Sequence, residues 1–343
     1  MLHPTLAPLD LRHRDTPLEH LARTSERLGV EIWVKRDDRT GLGLSGNKVR
    51  KLAWLLAEAR AQGATTILTT GGIQSNHCRA TAVACRQLGL RPALLLRGVA
   101  PDAHEIDGNL LMDLVLGARV RWCTPEGYRQ RDARLQDWAE ELRAAGERPF
   151  IIPEGGSNAL GALGFIEAAR EVRAQARAAG VAFDSVWCGV GSGGTLAGLA
   201  LGLRGGPRVV GVAVCDDRPT FRSRVEEIAA HAAAWGHTLD PAGDDTWDVH
   251  EGAQGRGYGL STPDELRTQV AFSRETGLFL DPVYTGKTWG ALERAVEAQP
   301  DRVGRRALFW HTGGAFGLFG RGGELAAALG AEAQALGLVS GGD

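Results

Sequence analysis

The feature that most constrains this chain is the order of its apolar segments. Short β-branched runs alternate with longer helical ones from residue 65 onward. Strands are expected at 65–70, 92–97, 119–123, 149–152, 184–188, 208–215 and 307–310, with helices at 76–88, 107–116, 127–145, 159–179, 194–204 and 220–235. Upstream, Thr16-Pro17-Leu18-Glu19 reads as a capping box that opens a helix ending near Gly29. A strand follows at 31–35, then a glycine-rich loop to Asn47. A helix is expected at 48–62, with Val49, Leu52, Leu56 and Ala59 on one face. Strand–helix alternation through short glycine-bearing turns makes parallel sheets covered by helices on both faces. The expected class is therefore α/β.

Composition narrows the function. Glycine accounts for 47 of 343 residues, about twice the usual ~7%. Strand-to-helix turns, which need positive φ or close backbone approach, explain much of that. With 39 basic and 41 acidic side chains the net charge is −2, which argues against a nucleic-acid or anionic-membrane partner. Five cysteines at wide spacings, with no CxxC pair, argue against a disulfide scaffold or structural zinc and fit a reducing, cytoplasmic setting. No signal-peptide h-region and no transmembrane stretch is expected.

Lysine occurs only four times, as Lys35, Lys48, Lys51 and Lys287. Lys48 follows Ser45-Gly46-Asn47 in the first turn of its helix. The positive helix end and partial burial both favour a neutral, nucleophilic amine there. Lys51, one turn on, reads as solvated. Lys35 lies in a Lys-Arg-Asp-Asp cluster that reads as an ion-pair network, and Lys287 lies at a helix start.

Four glycine-bearing turns could carry ligands. Gly189 to Gly198 (GVGSGGTLAG) follows a strand and opens a helix, which suits an anion. Its G-x-G-x-x-G spacing, with Asp216 and Asp217 beyond the next strand, leaves a dinucleotide open. The Ser192 and Thr195 hydroxyls suit a phosphate monoester, and a tight turn without ligand is the third reading. Gly71-Gly72-Ile73-Gln74-Ser75-Asn76-His77 could hold a carboxylate, or Ser75 or Asn76 could simply cap the helix. His311-Thr312-Gly313-Gly314 ends an apolar strand, where α/β ligands bind. Asp281-Pro282-Val283-Tyr284-Thr285-Gly286-Lys287 and the Tyr258 loop hold two of the three tyrosines.

An amine, a phosphate loop, a carboxylate loop and phenols together suggest pyridoxal 5′-phosphate. The segments KRDD, GLSGNKVRKL, GGIQSNHCRATA, IPEGGSNALGALGF, GSGGTLAG, LDPVYTGK and HTGG resemble the 1-aminocyclopropane-1-carboxylate (ACC) deaminase/D-cysteine desulfhydrase family over about residues 10–320. That family has the fold type II, tryptophan-synthase-β-like architecture. The resemblance implies a two-domain, three-layer α/β/α protein. Residues 1–47 with 158–343 would form the large cofactor-binding domain, and 48–157 a small α/β domain, with the active site in the cleft between them. A homodimer is implied as well.

The resemblance also implies roles. Lys48 forms the internal aldimine. Asn76 meets the ring hydroxyl. Gly191, Ser192, Gly193, Gly194 and Thr195 hold the phosphate. Ser75, Asn76 and His77 form the carboxylate pocket, with Ser75 also placed for proton transfer. Tyr258 and Tyr284 line the substrate side, and Thr285 or Thr312 faces the pyridine nitrogen. No metal is implied. The deaminase pattern has an acidic residue, an apolar residue and a glutamine where this chain has Thr285, Thr312 and His77. All three resemble the desulfhydrase side, implying β-elimination of D-cysteine or a close β-substituted amino acid. ACC deamination and L-cysteate cleavage remain alternatives. A nicotinamide oxidoreductase and a non-catalytic pyridoxal-binding protein are more distant ones.

Overall fold

The computed structural model describes residues 6–11, 15–240, 246–330 and 332. Ten strands occur among them: β1 (Leu18–His20), β2 (Glu31–Arg36), β3 (Thr66–Gly72), β4 (Arg91–Arg97), β5 (Arg119–Cys123), β6 (Pro149–Ile151), β7 (Ser185–Val190), β8 (Arg208–Ala213), β9 (Trp247–His250) and β10 (Arg306–His311). They form a six-stranded sheet in the order β1-β2-β10-β7-β8-β9 and a four-stranded sheet in the order β5-β4-β3-β6. Every described pairing is parallel except β1 with β2. The α/β class and the parallel sheets agree with the sequence reading.

The central strands are buried on both faces, and their side chains divide with period two. Leu308 and Trp310 of β10 join Val186 and Cys188 of β7 in one apolar cluster. Ala307, Phe309 and Trp187, which point the other way, join Phe272, Trp289 and Leu292 in another. Helices therefore cover both faces of the larger sheet, as its uninterrupted apolar strands require.

Two helices bring the site together. The Lys48 helix (Lys48–Ala61) packs against the long helix Ala159–Ala179. A Cβ on Gly164 would lie 2.1 Å from the Arg50 carbonyl oxygen, so only glycine permits this approach. The same crossing buries an ion network. Arg50 Nη2 lies 2.7 Å from Asp37 Oδ1, and its Nη1 lies 2.9 Å from Glu171 Oε2. Lys35 Nζ joins Glu171 and the Thr16 carbonyl, and Trp310 Nε1 donates to Asp37 Oδ2. Lys35 thus belongs to a buried network, as its cluster suggests.

Two expectations need correction. Residues 16–21 do not open a helix. Leu18–His20 pairs antiparallel with β2, and the helix begins at Ala22. The Glu19 carboxylate binds Arg36 and Arg39 instead of a helix N-terminus. Sheet pairing and these ion pairs override the local capping signal. Lys51 is not solvated. It is 1% exposed, and its Nζ donates to the Gly155 carbonyl and Ser157 Oγ. The packing partner that encloses it lies more than 100 residues away and leaves no local trace. Strand β9, only four residues long, carried no periodic signal. No helix among the described residues is long and apolar enough to cross a membrane.

Candidate active site

The C-terminal ends of β3, β7 and β10 and the N-termini of the Lys48, Asn76 (Asn76–Gln87) and Gly194 (Gly194–Gly202) helices converge on two adjoining cavities. One is lined by Asn47, Lys48, Asn76, Ser192, Thr195 and Thr312, among others. The other, of about 200 Å³, is lined by Lys48, Ser75, Asn76, His77, Tyr258 and Tyr284, among others. Lys48 and Tyr284 belong to both.

Lys48 stands apart from the other lysines. Lys35, Lys51 and Lys287 each donate to protein oxygens. No described residue accepts a hydrogen bond from Lys48 Nζ, which lies 5.9 Å from the Tyr284 ring centroid. Burial lowers its pKa to about 8, against the opposing pull of Glu154 and Asp281. A partly buried, unpaired and readily neutral amine is suited to attack a carbonyl.

The Gly191–Thr195 turn forms an anion cradle. The Gly193 backbone is left-handed, with φ of 88°. A Cβ on Gly194 would meet Ser157 Oγ at 2.7 Å and Lys51 Nζ at 2.9 Å. Ser157 Oγ accepts from Gly194 N and pairs with Ser192 Oγ at 2.8 Å. Asn47 Nδ2 donates to Thr195 Oγ1. Helix-terminal N–H groups, hydroxyls and the nearby Lys51 Nζ, a donor to Gly155 and Ser157, make a donor set that fits a phosphate monoester. Lys51 and Ser157 were missed from sequence. Lys51's spacing of three from Lys48, on the same helix side, was the available clue.

Asn76 is oriented through a chain of hydrogen bonds. Arg79 Nε, which can only donate, is bonded to Asn109 Oδ1. The Asn109 amide nitrogen must then be the donor to Asn76 Oδ1, at 3.1 Å. That leaves the Asn76 NH₂ for the cavity. Ser75 is the helix N-cap, and its Oγ accepts from Cys78 N. The Asn76 and His77 N–H groups, at the next two positions, lack intrahelical acceptors.

His77 is 3% exposed. Burial, with the positive charge of Lys48 and Lys51, holds its pKa well below the usual value, so it is neutral. Thr69 Oγ1 gives its only proton to the Ile152 carbonyl, so His77 Nε2 donates to Thr69. His77 Nδ1 is a buried acceptor without a partner. As an acceptor it repels a carboxylate. Any carboxylate bound here would use the His77 backbone N–H.

Tyr284 donates to the Tyr258 hydroxyl at 3.0 Å, with ring planes 74° apart. Burial raises the Tyr258 pKa to about 12 and that of Tyr284 further, so both phenols stay protonated. Lys287 Nζ donates to the Gln254 and Gly257 carbonyls and so anchors the Tyr258 loop. The two threonines separate. Thr312 lines the cavity beside the anion cradle. Thr285 does not, and its hydroxyl is engaged with Asp281 Oδ1 at 2.7 Å and Asp281 N at 2.6 Å. Asp216, the acid of the dinucleotide reading, is paired with Arg224.

This architecture and amine-plus-anion-cradle pairing define a pyridoxal-phosphate-dependent enzyme. The family described as "Pyridoxal-phosphate dependent enzyme" matches residues 9–313. Within it, the chain belongs to the ACC deaminase/D-cysteine desulfhydrase family. It is 40% identical to an Arabidopsis thaliana bifunctional D-cysteine desulfhydrase/ACC deaminase over 93% of this chain and 81% of that one. It is 41% identical to a Yersinia enterocolitica D-cysteine desulfhydrase, over 91% of this chain and 94% of the relative. A putative ACC deaminase of Thermotoga maritima is 40% identical, over 91% and 97% respectively. The crystal structure of an ACC deaminase homologue superposes with a TM-score of 0.86 at 34% identity, covering 95% of this chain and all of the other.

Proposed function

We propose that the chain is a carbon–sulfur lyase that eliminates the β-substituent of D-cysteine or a close analogue, giving pyruvate, ammonia and hydrogen sulfide. The observation that carries this reading is the Lys48 amine, the lysine without an acceptor among the described residues, set between the anion cradle and the Ser75–Tyr258–Tyr284 cavity. Bound pyridoxal phosphate supplies covalent attachment of the amino acid and an electron sink for the Cα carbanion.

The protein's own groups do the rest. Gly191–Thr195, Lys51 and Ser157 would hold the phosphate. The Asn76 NH₂ would serve the ring hydroxyl, and Thr312 would supply a hydroxyl towards the pyridine nitrogen. A neutral hydroxyl there would leave the ring nitrogen less basic than a carboxylate partner would, and so largely unprotonated; the weaker electron sink suffices where a departing sulfur carries off the electrons. The Asn76 and His77 N–H groups and Ser75 hold the substrate carboxylate. Lys48 Nζ, whose pKa burial lowers to about 8, would take the Cα proton of the bound substrate. Positioned proton transfer of this kind contributes about 10²–10⁴ in rate. The Tyr258–Tyr284 hydroxyl pair, protonated throughout, offers a donor on the substrate side.

Parallel assays of sulfide, pyruvate and ammonia release from D-cysteine, L-cysteine and ACC test the reading. Sulfide and pyruvate from a cysteine enantiomer support it; ammonia from ACC without sulfide from either would make the chain a deaminase. Lys48→Ala should lose both turnover and the visible absorbance of bound cofactor.

A further inference from the structure

The substrate-side cavity holds a cation that the proposed chemistry leaves unused. Three guanidinium groups (Arg97, Arg131, Arg224) and two carboxylates (Glu154, Asp216) line it. Arg131 Nε lies 3.2 Å from Glu154 Oε2, and Arg224 Nη1 lies 2.8 Å from Asp216 Oδ2. Arg97, at the end of β4, has no carboxylate and no hydrogen-bond acceptor among the described residues. Two tyrosines hold it instead. Its Cζ lies 5.1 Å from the Tyr128 ring centroid and 5.0 Å from that of Tyr258. Tyr128 is itself fixed by donating to Glu154 Oε1 at 2.8 Å.

Aromatic contacts satisfy a guanidinium's faces but leave its N–H edge unsatisfied. That edge is a fixed fork with the geometry of an oxyanion. Its position differs from that of the helix N-terminus. A Cβ on Gly71 would strike Ser75 Oγ, whereas one on Gly72 would meet the Tyr258 ring at 3.5 Å and Arg97 Nη2 at 3.9 Å. Successive residues of β3 thus face two neighbouring subsites, one at Ser75 and one at Arg97.

We infer that Arg97 is a specificity-determining residue that binds an anionic group on the β-carbon of the substrate or inhibitor, separately from the α-carboxylate. This rests on the lyase reading, and it names the residue that would tell an oxyanionic β-substituent, as in the L-cysteate alternative, from a neutral one.

Aspartate and asparagine have nearly the same shape and differ by one charge, so they isolate the effect. Their inhibition constants against cysteine turnover, in both enantiomers, should favour aspartate at least tenfold in the holoenzyme of the preferred hand. In Arg97→Gln the preference should collapse to about one, while Arg97→Lys keeps part of it. Equal binding of the two by the native protein would overturn the inference. So would a variant that weakens both equally, because Arg97 would then serve the α-carboxylate. If no cysteine enantiomer is turned over, the lyase reading fails by itself, and the same comparison is made from the ligand-induced change in cofactor absorbance.

Discussion

Asn109 Nδ2 donates to Asn76 Oδ1 at 3.1 Å, and this bond decides which face of the Asn76 amide meets the cavity. The order is imposed from Arg79, since a guanidinium cannot accept. Asn109 is fully buried, and its backbone N–H is also fixed, by Gln74 Oε1. In Asn109→Ala the Asn76 amide is free to flip and Arg79 Nε is left without its acceptor. We expect kcat/KM to fall about tenfold, the absorbance of bound cofactor to shift, and stability to drop by about 1–3 kcal/mol. Unchanged absorbance with reduced stability would reduce Asn109 to a packing role.

The Lys48 pKa of about 8 sets a pH dependence for the cofactor-free protein. The amine is protonated and unreactive below that value and neutral above it. Pyridoxal phosphate uptake, followed in the visible range, should therefore speed up with pH through a midpoint near 8 and then level off. A free lysine would keep accelerating towards about 10.4. Continued acceleration past pH 10 would show that burial does not lower this amine.

The alternation of strands and helices was legible in the sequence because, β1 apart, both sheets are parallel. Buried strands are apolar throughout, and their connections need glycine. The end of β7 with its glycine turn, Lys48, and the Ser75–His77 helix start could be read for the same reason, since local backbone chemistry marks them. What could not be read depends on distant partners. Lys51 looks like a surface lysine until the Gly155–Ser157 segment closes over it. Asn109 and Arg97 acquire meaning only when β4 and its neighbours bring them beside Asn76 and Tyr258. The Thr16–Glu19 capping signal was locally sound and lost to strand pairing with β2.

Lys287 links two site loops. Its ammonium bridges the Gln254 and Gly257 carbonyls, 2.6 and 3.0 Å away, and so holds the loop that presents Tyr258. Lys287→Met keeps the stem and removes the donor. We expect KM to rise several-fold with kcat changing less, since the loop still visits its working position. Substrate protection of that loop against proteolysis should become visible in the variant. An unaltered KM would separate loop anchoring from substrate binding.

The buried network beneath the Lys48 helix makes the last prediction. Burial alone would raise the Glu171 pKa, but Arg50 and Lys35 bring it well below the usual carboxylate value. Asp37 is likewise lowered, by Arg50 against the cost of burial. Both groups are thus ionised in the folded state at pH values where the unfolded chain has begun to protonate. Their contribution is complete above about pH 5 and falls as pH drops through the unfolded carboxyl pKa values of about 4 towards the folded ones. Denaturant titrations should show this network's contribution to stability declining below about pH 5. Arg50→Met leaves two buried carboxylates facing each other, and the loss should be about 3–5 kcal/mol at pH 7. The deficit should shrink as the pH falls and the carboxylates protonate. A deficit independent of pH would assign the loss to packing of the buried Arg50 stem rather than to charge.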